Sequence, residues 1–464
     1  MWTTIDKNYY GQFLDNTKLQ YELNSNDNIN DIILHKTETH YMLPRLFYNN
    51  YNNKIKRQIL NNVVNPNVNF KTLTSMYKKI KFVGKLREDQ NKIIHQLQSC
   101  FKNNNKKING IIQARPGIGK TIISIYLAIL LNKRPLIIVD NTKLLEQWTE
   151  EILKFTNIKK ENIGIIKGSK LEIDDDKYFC IAMIQTLVSK VKRQLREFYD
   201  KFHKAGFNIV YFDECHKSSA GPKYAKASLL LDTENIIGLS ATPFVKNMHK
   251  ILLYNTIGKI IVKNAKYDIK PDIYFILYDS KLDKSKYAKQ IKYMLYNDYI
   301  LGRSKYNSFL HNSQEYLRVI TRLYLKLKDT EYTKIMSVCF TINQVNAIHK
   351  HLKKNNIQSK EFYSKKKKIN KEIDNNLIAT YQYASHGFNY KALQVIILTC
   401  PLSGKTSLTQ VIGRGLRSYP NKNNALIFIL IDIGFDGEFT NKIPQIKNIL
   451  KNEFGNCNMR EIAV

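Results

Sequence analysis

Two short stretches combine residue types that do chemistry with the spacing to do it. In "QARPGIGKTIIS", residues 113–124, the run Ala114, Arg115, Pro116, Gly117, Ile118, Gly119, Lys120, Thr121 sits between an apolar run and a helix-patterned one. Glycines let a backbone turn its N–H groups inward around an anion, and the following helix presents its positive end there. The arrangement suits a nucleotide: Lys120 has the reach for β and γ phosphates, and Thr121 offers a hydroxyl to Mg2+. In "FNIVYFDECHKSS", residues 207–219, an apolar run ends abruptly in Asp213, Glu214, Cys215 and His216. An acid at the end of a parallel strand beside a phosphate loop points into the crevice where the phosphates sit. Asp213 is then placed to hold Mg2+ opposite Thr121, and Glu214 to accept a proton from the water attacking the γ phosphate. His216, on the loop leaving the strand, is placed to report nucleotide state to a nearby polar motif or a second domain, and Cys215 reads as a small side chain tucked behind the site.

Strands and helices in alternation must position these groups. "NGIIQA", "PLIIVD", "YFCIAMI", "NIVYFDE" and "NIIGLSA" read as short apolar strands, and "TKLLEQWTEEILKF" has apolar residues at helical spacing. Such alternation predicts a parallel sheet covered on both faces. Residues 260–330 read as basic and helical, as in "KSKYAKQIKYMLYNDYILGRSKY". The alternation then resumes with strands "KIMSVCF", "NLIATY", "LQVIILT" and "ALIFILIDI" and helices "NQVNAIHKHLKK" and "SLTQVIGRGLR". On that last helix Gln410, Gly413, Arg414 and Arg417 recur at three- and four-residue spacing. One face would carry both guanidiniums, suited to stabilising charge on a transferring phosphoryl group. The expected fold class is therefore α/β: two tandem domains, 81–262 and 263–440, with parallel sheets. A small accessory domain, 1–80, precedes them, and a tail, 441–464, follows.

With 464 residues, 43% of them hydrophobic, the chain can build the cores these domains need. Lys and Arg number 73 against 39 Asp and Glu, a formal charge of +34 that favours a polyanion through counterion release. Lys, Asn, Ile and Tyr rise together in this chain, and an AT-rich coding sequence produces the same excess, so both origins of the charge stand. Six cysteines with no C-x-x-C pair argue for free thiols in a reducing compartment and against a structural zinc site. No signal-peptide pattern and no apolar run of membrane-spanning length occurs, so a soluble, intracellular protein is expected.

Taken in order across residues 86–417, "GIGKT", "DECH", "LSATP" and "QVIGRGLR" resemble the motif series of superfamily 2 helicases of the Asp-Glu-x-His type. The resemblance implies two RecA-like P-loop domains with ATP, Mg2+ and nucleic acid bound between them. It also implies roles. Arg87 and Gln90 of "LREDQ" match the segment that reads adenine. Thr142 and Lys143, then Gln185 and Thr186, match nucleic-acid backbone contacts, although Asp140 stands where the family usually has Pro. Ser240 and Thr242 match the motif that couples hydrolysis to domain movement. In the second domain Thr380, Ser385 and Gly387 match a motif approaching nucleic acid and nucleotide, with Asn389 where Asp is common. Cys-His after the two acids, and Gln rather than His at the start of the last motif, disfavour the RNA-remodelling Asp-Glu-Ala-Asp group. The chain looks instead like DNA translocases of repair, transcription and phage recombination, and within them like the poxvirus transcript-release helicases. That narrower likeness implies 3' to 5' unwinding and transcription termination. Its partners would be single-stranded and duplex DNA, an RNA polymerase elongation complex and nascent RNA, in the host cytoplasm and virion. A branch-migration or repair helicase, and a nucleotide-switched subunit of a larger complex, are the competing readings.

Overall fold

The computed structural model describes residues 80–464 apart from residues 218–225, 244–252, 284–305, 364–374, 386–389, 435–438 and scattered single positions, together with three short strands nearer the N-terminus. Those strands, β1 (Thr3–Asp6), β2 (His35–Lys36) and β3 (His40–Leu43), pair antiparallel in the order β1-β3-β2. The rest of the expected accessory domain lies outside the described residues, as do Gly387, Asn389 and most of the basic run ending at Tyr306. The chain divides into two compact units, Met1–Ala265 and Lys266–Val464.

The first unit holds β4 (Asn109–Ala114), β5 (Pro135–Val139), β6 (Ile163–Lys167), β7 (Lys170–Leu171), β8 (Phe179–Met183), β9 (Ile209–Asp213), β10 (Ile236–Ser240) and β11 (Ile260–Asn264). They form one sheet in the order β11-β4-β10-β9-β5-β8-β6-β7, parallel throughout except for β6 with β7. Side chains of a strand alternate between faces, so an apolar run without interruption serves two cores. Ile111 and Ile112 of β4 accordingly join different core clusters. The helices are α1 (Glu88–Asn103), α2 (Lys120–Leu130), α3 (Thr142–Phe155) and α4 (Ile184–Ala205). The α3 helix starts where Asn141 accepts a hydrogen bond from the Leu144 N–H. Since β11 pairs with β4, this unit runs past residue 262, where the sequence suggested a boundary.

The second unit holds β12 (Lys270–Tyr278), β13 (Ile335–Cys339), β14 (Lys360–Phe362), β15 (Asn376–Thr380), β16 (Val395–Leu398), β17 (Asn424–Asp432) and β18 (Asn458–Ala463). Their order is β14-β15-β13-β16-β17-β12-β18, all parallel. Its helices are α5 (Gln314–Lys328), α6 (Ile342–Lys354), α7 (Tyr381–Ser385), α8 (Lys405–Gly415) and α9 (Ile443–Phe454). Two sequence expectations are corrected here. Within the stretch read as basic and helical, β12 pairs along its whole length with β17, because "DIYFILY" is apolar and β-favouring once separated from the Lys-rich run after it. The expected tail is α9 and the edge strand β18; Ile446 and Leu450 of α9 are fully buried in the core. Among the described residues, no helix is long and apolar enough to cross a membrane.

Candidate functional site

The turn between β4 and α2 consists of Arg115, Pro116, Gly117, Ile118 and Gly119. Gly117 and Gly119 have φ of 85° and 86°, the left-handed region that a side chain disfavours. A Cβ on Gly119 would also stand 2.5 Å from the Gln90 amide nitrogen. That amide donates to the Ile118 carbonyl at 2.9 Å, and Arg87 Nη2 donates to the same oxygen at 2.7 Å. The Gln90 Oε1 atom accepts from the Arg87 N–H at 2.9 Å. Arg115 pairs with Asp89 at 3.3 Å. The "LREDQ" segment thus fastens the outward carbonyls of the loop, which leaves its geometry suited to presenting N–H groups to an anion. Lys120 Nζ donates to the Ala114 carbonyl at 3.2 Å, across the mouth of the turn.

Asp213 ends β9, the strand separated from β4 by β10. Partly exposed as a residue, it has its carboxyl group packed among protein atoms. Oδ2 accepts from the Trp148 indole at 2.8 Å and Oδ1 from the Glu214 N–H at 3.0 Å. Burial first, and then the adjacent Glu214 charge, push its pKa up to about 6, against the opposing pull of Trp148 and Lys120. A carboxylate held this way gains from a nearby cation. Oxygen donors from Asp213 and Thr121, completed by phosphate oxygens, are a set that Mg2+ accepts. Among the described residues, no group of three or more His, Cys, Asp or Glu could hold a metal alone.

Glu214 has φ of 50°, unusual for a residue with a side chain, and this turns the chain sharply at the strand end. His216 Nδ1 lies 3.3 Å from Glu214 Oε2 and 3.1 Å from Ser240 Oγ. Ser240 Oγ in turn accepts from the Thr242 N–H at 3.1 Å. The imidazole therefore stands between the expected base and "SAT" on neighbouring β10, which brings His216, Ser240 and Thr242 together. Cys215 is buried, and its Sγ would be 2.9 Å from any Cβ at Gly238, so glycine there makes its place. Trp148 escaped the sequence reading. Its signal was a large amphipathic ring on the apolar face of α3, whose N–H needs a partner once buried.

The carboxyl ends of β5 and β8, neighbours in the sheet, carry the first-unit nucleic-acid candidates. Gln185 Nε2 donates to the Asp140 carbonyl at 2.7 Å, and Lys167 Nζ to Thr142 Oγ1 at 3.4 Å. Lys143 is next along the first turn of α3. Thr186 is buried and its hydroxyl accepts from the Gly168 N–H at 2.9 Å, so it supports the β6–β7 turn. Lys167 was not anticipated.

In the second unit Thr380 is the buried last residue of β15, and Ser385 ends α7. Gln410 is buried on α8 and Arg414 half-buried. Arg417 lies beyond the helix end at Gly415, which corrects the expectation of one helical face carrying both arginines. The cause is local: glycines at 413 and 415 weaken the helix, and Gly415 lets the backbone close on the sheet, where a Cβ would meet Ile396 Cδ1 at 3.0 Å.

The ResIII family, described as Type III restriction enzyme, res subunit, matches residues 84–245, which include the glycine loop, Asp213–His216 and Ser240–Thr242. The chain is 25% identical over 365 residues to a protein of Acanthamoeba polyphaga mimivirus named as an ATP-dependent RNA helicase, covering 76% of this chain and 66% of that one. It is 27% identical over 134 residues to the DNA 3'-5' helicase XPB of Kineococcus radiotolerans, covering 29% of this chain and 23% of that one. It thus spans just under two thirds of the viral relative and less than a quarter of the bacterial one. S. cerevisiae Dbp5 bound to RNA and ADP BeF3 superposes with a TM-score of 0.53 at 14% identity, over 82% of this chain and 94% of Dbp5, a likeness of fold.

Proposed function

We propose that this chain, a superfamily 2 helicase-type ATPase built on two RecA-like units, hydrolyses ATP to move along DNA. The observation that carries the reading is the chain of contacts from Asp213 and Glu214 through His216 to Ser240 and Thr242, at the ends of β9 and β10 on one side of the glycine loop's strand. In this reading the loop N–H groups and Lys120 bind the triphosphate. Thr121 and Asp213 would hold Mg2+, which neutralises phosphate charge. Glu214 takes the proton of the attacking water, and Arg414 and Arg417, aided by Gln410, stabilise charge on the γ phosphate. A change of charge beside Glu214 would then pass through His216 to Ser240 and Thr242. Thr142, Lys143, Gln185 and Thr380 grip the sugar-phosphate backbone, which gives affinity without sequence preference. The likeness to XPB supports DNA as the track and 3' to 5' as the direction. The finer proposal is release of nascent transcripts from a stalled viral RNA polymerase.

ATP hydrolysis at fixed salt, with no nucleic acid, single-stranded DNA, duplex DNA or RNA, tests the reading. DNA should stimulate turnover. Glu214→Gln should lower it by roughly a hundredfold or more while nucleotide still binds. Lys120→Ala should abolish it. Stimulation by RNA alone would refute the DNA assignment, and nucleotide binding with no stimulation would favour a switch within a larger complex. Release of RNA from a paused ternary complex, set against preference for four-way DNA junctions, separates transcript release from branch migration.

A further inference from the structure

Lys422 follows Arg417 by five residues, in the loop that returns to β17, and only 7% of its surface is exposed. Its ammonium donates to three backbone carbonyls: Leu393 at 2.5 Å, Arg417 at 3.2 Å, and Gly415. An ammonium has three N–H bonds, so every donor is used. A buried cation is tolerated only when satisfied in this way. The acceptors say what it holds. Gly415 is the last residue of α8, where helix carbonyls have no intrahelical partner and carry the negative end of the dipole. Leu393 lies just before β16, so the lysine ties the helix end to the sheet. The third carbonyl is that of Arg417 itself. The backbone on both sides of Leu416 is therefore fixed, and with it the directions in which Arg414 and Arg417 leave the chain.

We propose that Lys422 is a positioning residue for hydrolysis: its ammonium clamps the end of α8 and so aims Arg414 and Arg417. The inference rests on the roles given to those arginines above. A proton-dependent clamp follows. Burial first, and then the Arg417 charge, lower the Lys422 pKa to about 8. Among the described residues Arg417 is the charged group acting on it, whereas α8 and the approach to β16 present carbonyls. Above that pH a neutral amine has two N–H donors for three carbonyls and no charge for the helix dipole. The clamp is complete below about pH 8 and slackens as pH rises through it.

Steady-state kcat and KM for ATP are measured on the full chain from about pH 6.5 to about pH 9.5, spanning the lowered lysine pKa, with thermal melts alongside. Wild type should lose turnover several-fold across the upper half of that range while KM holds. Lys422→Arg, charged throughout, should keep turnover and lack the alkaline fall. Lys422→Met should turn over roughly tenfold more slowly at every pH, a loss of aim in the transition state with KM unchanged. A wild-type profile flat above pH 8, or an alkaline fall that persists in Lys422→Arg, overturns the proposal. So does Lys422→Met with wild-type kcat. If Lys422→Met does not fold, the wild-type and Lys422→Arg profiles still decide. A chain that hydrolyses no ATP at any pH refutes the ATPase reading itself, an outcome separate from a working enzyme with a flat profile.

Discussion

Arg134 in the first unit and Lys422 in the second are both buried cations at the start of a strand. Each precedes a central strand, β5 or β17, and each gives hydrogen bonds to the last carbonyl of a helix, Ala205 of α4 or Gly415 of α8. Arg134 also donates to the carbonyls of Lys177, at 3.0 and 2.8 Å, and Ile173, at 3.2 Å, and lies 5.0 Å from the Phe207 ring centre. The device is the same: a buried cation collects the carbonyls left over where a returning helix meets a parallel strand. What differs is the chemistry of the cation and what hangs on the helix. Guanidinium stays charged at any accessible pH and its planar fork spans several loops. Among the described residues no site candidate lies at the end of α4, and what Arg134 holds is backbone carbonyls of the scaffold. An ammonium can lose its proton, and the helix it caps carries the arginines.

Removing the scaffold cation should give the largest effect. Arg134→Met leaves several buried carbonyls unpaired, a loss on the order of 3–5 kcal/mol. The melting temperature of the first unit should fall by about 10 °C. Turnover per folded molecule should stay near wild type at temperatures where the variant is folded. A variant that is stable but inactive would break the contrast with Lys422.

The next effect belongs to the arginine that Lys422 holds. Arg417→Ala should lower kcat by roughly a hundredfold with nucleotide affinity nearly intact, because its partner charge develops in the transition state. Equal losses in binding and turnover, measured by titration and steady-state kinetics, would instead assign Arg417 to ground-state binding or to folding. In a double variant with Lys422→Met the two losses should add only in part, since Lys422 acts through Arg417 as well as through Arg414.

The contrast also marks how far the sequence could be read. The placement of the glycine turn between a strand and a helix, and of Asp213 at a strand end, was legible because apolar runs bounded by those residues mark where the elements stop and start. The strand alternation that carries the fold was equally plain. The missed features depend on partners distant in sequence. Trp148 looked like a core residue until its indole met Asp213, 65 residues away. Lys422 was one cation in a chain with 73 Lys and Arg, and only the return of α8 to the sheet distinguishes it. Strand β12 was hidden by the basic run that follows it. Arg417 fell off the helical face because Gly415 ends the helix, a backbone event that side-chain spacing does not record.

The smallest effect tests a buried charge of opposite sign at the other end of a strand. Without nucleotide or metal, the folded pKa of Asp213, about 6, lies above its usual 3.8. A carboxyl raised in this way contributes stability that is full below its unfolded pKa and is lost as pH rises through the folded one. At neutral pH the ionised Asp213 therefore destabilises the free chain. Asp213→Asn removes the charge but keeps one oxygen acceptor, so it should add ~1 kcal/mol near pH 7.5, about 3 °C in melting temperature. The gain should shrink as pH falls through the folded value and vanish only below the unfolded 3.8, where both states of the wild type are protonated. It should also shrink when Mg2+ and a nucleotide analogue are added, because bound cation favours the wild-type carboxylate. Melts that show Asp213→Asn less stable than wild type near pH 7.5 would mean that the Trp148 and Lys120 contacts outweigh burial, and that the free site already holds its charge without a metal.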